Sequence, residues 1–147
     1  MKKLVAICAF LALPFAIASC SSDDNVIRKK SDYEGTWVTD SLSYTIPNGP
    51  TMKHKFKDMP GGDDAITQDI MILTEDKATL VETTKKGVDQ PAVQGVIKDQ
   101  VITFNSDDPR HTPRTIVRTT DAKLTVVYDI AMRGDNLPVT VTYLRKN

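Results

Sequence analysis

From Tyr33 onward the apolar side chains recur with a period of two, and no stretch carries the period of a helix. Alternation of this kind turns one face of an extended segment toward a core and leaves the other to water. It restricts the chain to packed sheets. Eight segments carry the pattern: 36–46, 65–73, 78–85, 92–97, 101–105, 114–120, 123–132 and 138–146. Thr, Val and Ile are frequent in them, as suits a pleated surface. The alternation is cleanest late in the chain. Leu124, Val126, Tyr128 and Ile130 share one face, and Val139, Val141 and Tyr143 share one face of the last segment.

The connections sort by length. Those after Leu73, Ile97 and Thr120 are tight, whereas Pro47–Asp64, Lys86–Pro91, Ser106–Pro113 and Arg133–Leu137 are long and rich in Pro and Gly. In a meander, successive connections lie at opposite ends of the sheet. The second, fourth and sixth are the tight ones, so all three fall at one end and the long ones at the other. This is the plan of an all-β, antiparallel up-and-down eight-stranded barrel with a closed bottom and a loop-bordered mouth. Closure removes exposed strand edges, and an eight-stranded interior can hold one small ligand. A β-sandwich of the same strands is the alternative, and pairing of the first strand with the last separates the two.

The other informative region is the start. Lys2 and Lys3 precede a run of 15 nearly all apolar residues, Leu4 to Ala18, interrupted by Pro14. That is short of the roughly 20 residues of a spanning helix and suits a secretory signal. Ile17-Ala18-Ser19 then leads into Cys20, which resembles a bacterial lipobox. The resemblance implies a lipoprotein: residues 1–19 are a signal peptide, and Cys20 becomes the first residue and carries fatty acyl chains. Each buried methylene adds about 0.8 kcal/mol, and two or more chains anchor stably. With Cys8 removed, Cys20 is the sole cysteine of the mature chain, so neither a disulfide framework nor a cysteine metal site can form. Residues 20–32 read as the lipidated residue and a tether, 21–32 reaching at most about 40 Å. Ser21-Ser22-Asp23-Asp24-Asn25 is either a plain polar spacer or resembles an acidic export signal that sends lipoproteins of the outer membrane to the cell surface. Without Lys2 and Lys3, 17 basic side chains stand against 19 acidic ones. That balance argues against nucleic acid as a partner. The expected location is the bacterial cell envelope, and the expected membrane contact is the lipid on Cys20.

Tyr33-Glu34-Gly35-Thr36-Trp37 contains Gly-x-Trp at the head of the meander, and it resembles the opening of lipocalin-like domains. "ILTEDKATL" is similar to the second and third strands of that family, with Lys77 where a turn glycine is commoner. The resemblance covers residues 33–147 and implies that Trp37 plugs the closed end beneath Arg145. A guanidinium over an indole is worth about 0.5–2 kcal/mol.

Function is less legible. His54 and His111 are the only histidines, and neither stands in a nucleophile arrangement, so no enzyme is expected. Asp63-Asp64 and Asp107-Asp108 lack the spacing of a calcium loop, and Met52, His54 and Met59 read as strand packing rather than copper ligands. No metal and no cofactor is expected. "TMKHKFKDM" alternates an apolar and a basic face, as an edge strand or a lid would. The working expectation is non-catalytic binding of a small apolar or amphipathic molecule at the mouth. By facing, Met52, Phe56, Ile72, Phe104, Val126, Tyr128, Val141 and Tyr143 line it. The alternative is an assembly protein with a solid barrel whose loops dock a protein or glycan partner.

Overall fold

The computed structural model describes residues 30–59, 61–132 and 135–147. The signal segment, Cys20 and most of the tether lie outside the described residues. Among those described, no helix is long and apolar enough to cross a membrane.

Among the described residues nine strands follow one another: β1 (Gly35–Thr45), β2 (Thr51–Lys55), β3 (Ile66–Leu73), β4 (Lys77–Thr84), β5 (Val93–Lys98), β6 (Val101–Phe104), β7 (Arg114–Thr119), β8 (Lys123–Met132) and β9 (Asp135–Arg145). All pairings are antiparallel, in the order β2-β1-β3-β4-β5-β6-β7-β8-β9, and β1 also pairs with β9. That last pairing, Trp37 opposite Arg145 through Tyr44 opposite Val139, closes eight strands into a barrel and excludes the sandwich. The ninth strand, β2, is the Met52–His54 stretch. It pairs with the far half of β1, from Ser41 to Thr45, while β3 takes only the near half, Gly35 to Val38.

Among the described residues three register shifts interrupt the alternation, one of them between Ile66 and Gln68 of β3. The register of β1 against β9 shifts between Thr39 and Ser41. Trp37 before the shift and Leu42 after it both point inward and are buried, although five positions apart. An extra residue on one strand produces this phase change. In β7 the shift between Ile116 and Arg118 does the same, leaving Arg114, Ile116 and Thr119 inside.

The barrel interior carries a large apolar core. Trp37, Met71, Leu73, Ala78, Leu80, Ile97, Ile102, Leu124, Val126 and Val141 are all buried there. Each large side chain among them contributes about 1.5–3 kcal/mol by leaving water. A latch spans the closed end. The Arg145 guanidinium lies 4.2 Å above the centre of the Trp37 ring. It donates to the backbone carbonyls of Asp121 and Glu34, both at 2.7 Å. Trp37 Nε1 donates to the Tyr33 carbonyl at 2.7 Å, and the Tyr33 hydroxyl donates to the Glu75 carbonyl at 2.9 Å. Gly35 explains its place in Gly-x-Trp. Its φ is +134°, and a Cβ there would sit 2.5 Å from Arg145 Nη1. Only glycine permits both the backbone angle and the passage of the guanidinium.

One expected loop is absent. Residues 135–137 belong to β9, with Leu137 opposite Ile130 and Pro138 opposite Asp129, so β8 and β9 are joined through residues 133–134 alone. Proline reads as a strand start because it lacks an N–H. Here Pro138 stands one residue past the last β1 pairing, where β9 has a single neighbour and one missing donor is tolerated. The mouth is therefore bordered by long segments on three sides and by a tight hairpin on the fourth.

Candidate binding site at the barrel mouth

Above the apolar core, the interior turns polar. Asp69 on β3, Arg114 at the start of β7 and Tyr143 on β9 meet across the barrel. Arg114 Nη1 donates to Asp69 Oδ2 at 3.0 Å and to the Tyr143 hydroxyl at 2.6 Å, and that hydroxyl donates to Asp69 Oδ2 at 3.2 Å. The Asp69 and Arg114 side chains are each 2% exposed. The guanidinium carbon also lies 4.5 Å from the centre of the Tyr128 ring and 5.2 Å from that of Phe104. Two buried atoms have no hydrogen-bond partner, Asp69 Oδ1 and Arg114 Nε.

This girdle divides the interior. Burial opposes the Arg114 charge, but the oxygens of Tyr143, Tyr128 and Asp69 outweigh it and hold the guanidinium's pKa above its usual value. Burial pushes the phenols of Tyr128 and Tyr143 well above the ordinary tyrosine range, so both stay un-ionised. The girdle is thus one ion pair with neutral hydroxyls, set on an apolar floor.

Over the girdle is a cavity of about 310 Å³ that opens at the mouth. Its apolar lining is Phe56, Ala65, Ile66, Pro109, Ile130 and Ala131. Its charged lining is Asp64, Asp69, Glu82, Arg110 and Arg114, and Tyr128 completes it. Phe56 arrives from a short 3-10 turn, Phe56–Asp58, that follows β2 and packs on β3. Glu82 on β4 is buried directly opposite Asp69. The β6–β7 loop folds over it. His111 Nε2 lies 3.3 Å from Glu82 Oε2, His111 Nδ1 lies 2.7 Å from the Ser106 hydroxyl, and Arg110 Nη1 lies 3.9 Å from Glu82 Oε2. Arg110 is gripped by Asp108, its Nη2 at 2.6 Å and its Nε at 3.1 Å. The hydrogen bonds from that guanidinium, and one from the Arg110 backbone N–H, hold the Asp108 carboxyl far below the usual carboxylate range.

Of the eight residues expected to line the mouth, Phe56 and Tyr128 do so. Phe104, Val126, Val141 and Tyr143 point inward but are core, buried beside or beneath the girdle. Met52 is half-buried on β2 opposite Tyr44, away from the cavity. Ile72 faces outward and is 42% exposed. The inward set on β3 is Asp69, Met71 and Leu73. Ile70 and Ile72 give the outer face the same apolar look, so composition alone favours the wrong phase. Trp37 and Arg145 lie at the closed end, away from the cavity. His54 stacks on Tyr44 with ring centres 5.9 Å apart. Among the described residues no three His, Cys, Asp or Glu side chains gather as a metal site.

Asp69, Glu82, Arg110 and Arg114 escaped sequence reasoning. The signal for three of them was present as a charge standing in phase with buried apolar neighbours. Asp69 precedes Met71 and Leu73 at a spacing of two, Glu82 follows Ala78 and Leu80, and Arg114 precedes Ile116.

No protein-family model matches the chain. No curated protein matches it either. Among solved structures the chain is similar to two lipocalin-family proteins. One is the siderocalin Ex-FABP, described as functioning through dual ligand specificities, at 14% identity and a TM-score of 0.46 over 79% of this chain and 71% of that one. The other is apocrustacyanin C1, at 10% identity and a TM-score of 0.45 over 80% of this chain and 63% of that one.

Proposed function

We propose that this chain is a lipid-anchored lipoprotein of the bacterial cell envelope whose barrel binds a small amphipathic molecule, without catalysis, at its open mouth. The observation that carries the binding role is the cavity itself. It has both apolar and charged lining residues and a volume of about 310 Å³, at the lower end of ligand pockets. At about 30 Å³ per water-sized group it admits about ten non-hydrogen atoms, with room for a longer tail to leave through the mouth. Buried apolar side chains occupy the lower interior, so the proposed seat is the shallow one at the mouth.

The test is displacement of an apolar fluorescent probe, comparing the wild type with Ala65→Phe, which fills the cavity from its apolar lining. Probe binding should fall at least tenfold. Equal binding by the two proteins sinks the mouth as the seat. Native mass spectrometry of protein purified from its host bears on the assembly reading, which a co-purified protein without a small molecule would favour. The anchor rests on Cys20 and the run before it. Metabolic labelling with a fatty-acid probe should mark the wild type and not Cys20→Ala, and equal labelling overturns it. Protease shaving of whole cells then separates a surface-facing from a periplasmic protein.

A further inference from the structure

We infer that the ligand of the mouth cavity is an amphipathic amine, its ammonium group seated against Glu82 and Asp69 and its apolar part against Phe56, Ile66 and Ile130. This rests on the cavity being a ligand site. It begins from a pairing that a stable barrel has reason to avoid. Asp69 and Glu82 are direct cross-strand partners on β3 and β4, both inside the barrel, 1% and 6% exposed. Like charges in that position repel, and burial strips the water that would screen them.

The cations present answer only one of the two. Arg114 matches Asp69 at 3.0 Å. Glu82 has no such partner. Arg110 approaches it only to 3.9 Å, through Nη1, and the Nε–Nη2 edge of its guanidinium is already held by Asp108. His111 supplies a hydrogen bond at 3.3 Å, and a full charge only when protonated. Three carboxylates line the cavity against two guanidinium groups, and Asp108 just behind Arg110 adds a fourth.

A second observation points the same way. Asp69 Oδ1 is a buried acceptor without a partner, on a side chain that lines the cavity. Arg114 Nε is likewise a buried donor without a partner, but each guanidinium already faces a carboxylate, and an anionic ligand would meet three lining carboxylates against two cations. An ammonium reverses each term. It carries three donors and the missing charge, and its hydrogen bonds to carboxylates are the strong, charge-assisted kind. The apolar residues of the same lining then set the remainder of the ligand as a short hydrocarbon.

Octylammonium, octanol and octanoate share a chain and differ in the head, and each fits the space for about ten non-hydrogen atoms. Their affinities at neutral pH are measured by calorimetry on the full barrel domain. Octylammonium should bind at least tenfold more tightly than octanol, and octanoate more weakly than either. Glu82→Gln should lower octylammonium affinity about tenfold and leave octanol unchanged, octanol serving as the check that the variant is folded. Equal affinity for octanol and octylammonium in the wild type overturns the amine and leaves the cavity as a site. Tighter binding of octanoate overturns it likewise. If none of the three binds, the cavity reading falls with it.

Discussion

Replacing Arg114 with Met tests the girdle that floors the cavity. The variant keeps most of the side chain's length and removes its charge. Asp69 is then left inside the barrel with Oδ1 unpartnered and Oδ2 holding only the Tyr143 hydroxyl at 3.2 Å. Removing one partner of a buried ion pair costs about 3–5 kcal/mol. The span 33–147 is 115 residues long, and unfolding entropy is about 2.1 cal/mol/K per residue. A loss of 1 kcal/mol then lowers Tm by about 4 °C, so Arg114→Met should melt about 12–20 °C below the wild type. Calorimetric melts are the assay, and the double variant Asp69→Leu/Arg114→Met completes the cycle. Exchange of a whole buried pair for apolar groups is often neutral or stabilising, so the double variant should recover most of the loss. A single variant melting within about 4 °C of the wild type, or a double variant no better than the single, would refute a desolvated pair across the interior.

Three further outcomes follow from the geometry. Gly35→Ala should destabilise the barrel by at least about 2 kcal/mol in urea unfolding, because its Cβ meets Arg145 Nη1 and its φ is +134°. Asp99 and Gln100 join β5 to β6 with φ of 49° and 67°, a conformation that favours Asn-Gly. Asp99→Asn/Gln100→Gly should therefore raise stability by about 1 kcal/mol, and a lower Tm contradicts the turn. Tyr128 and Tyr143 hold their protons more firmly folded than unfolded. Their contribution to stability is complete below the unfolded tyrosine value of about 10 and is lost as pH rises above it. Alkaline unfolding should accordingly coincide with the ionisation of these phenols by ultraviolet absorbance, and titration of all the tyrosines near pH 10 with the barrel still folded would contradict it.

Much of the barrel was legible because its strands are half-buried and β-branched, and because tight and long connections alternate. Parity then placed Trp37, Arg145 and the turns after Leu73, Ile97 and Thr120 at one end. What escaped depends on features a period of two does not encode. The bulges near Asp40 and Val117 shift the inward phase within a strand. Ile70 and Ile72 make the outer face of β3 as apolar as its inner one. Pro138 looks like a boundary and is a strand residue. The site was hidden for a deeper reason. Inward-facing charge is the opposite of what core reasoning seeks, yet Asp69, Glu82 and Arg114 all sit in the phase of the core. Their hydrogen-bonding partners lie 45 positions away in one case and 29 in another, so only the fold brings them together.

The β1–β9 closure also has a consequence in time. Arg145 reaches back over 111 positions to the Glu34 carbonyl, and the ladder between β1 and β9 joins the first barrel strand to the last. A ribosome or a secretion channel releases these two strands at opposite moments. Until β9 has emerged, β1 lacks the partner along its whole far edge, the latch over Trp37 cannot form, and the barrel stays open. Loop closure of this span is slow, and its contacts reward the chain only when both ends are present. Under the secretion proposed above, that delay would keep the polypeptide threadable until the last strand had crossed.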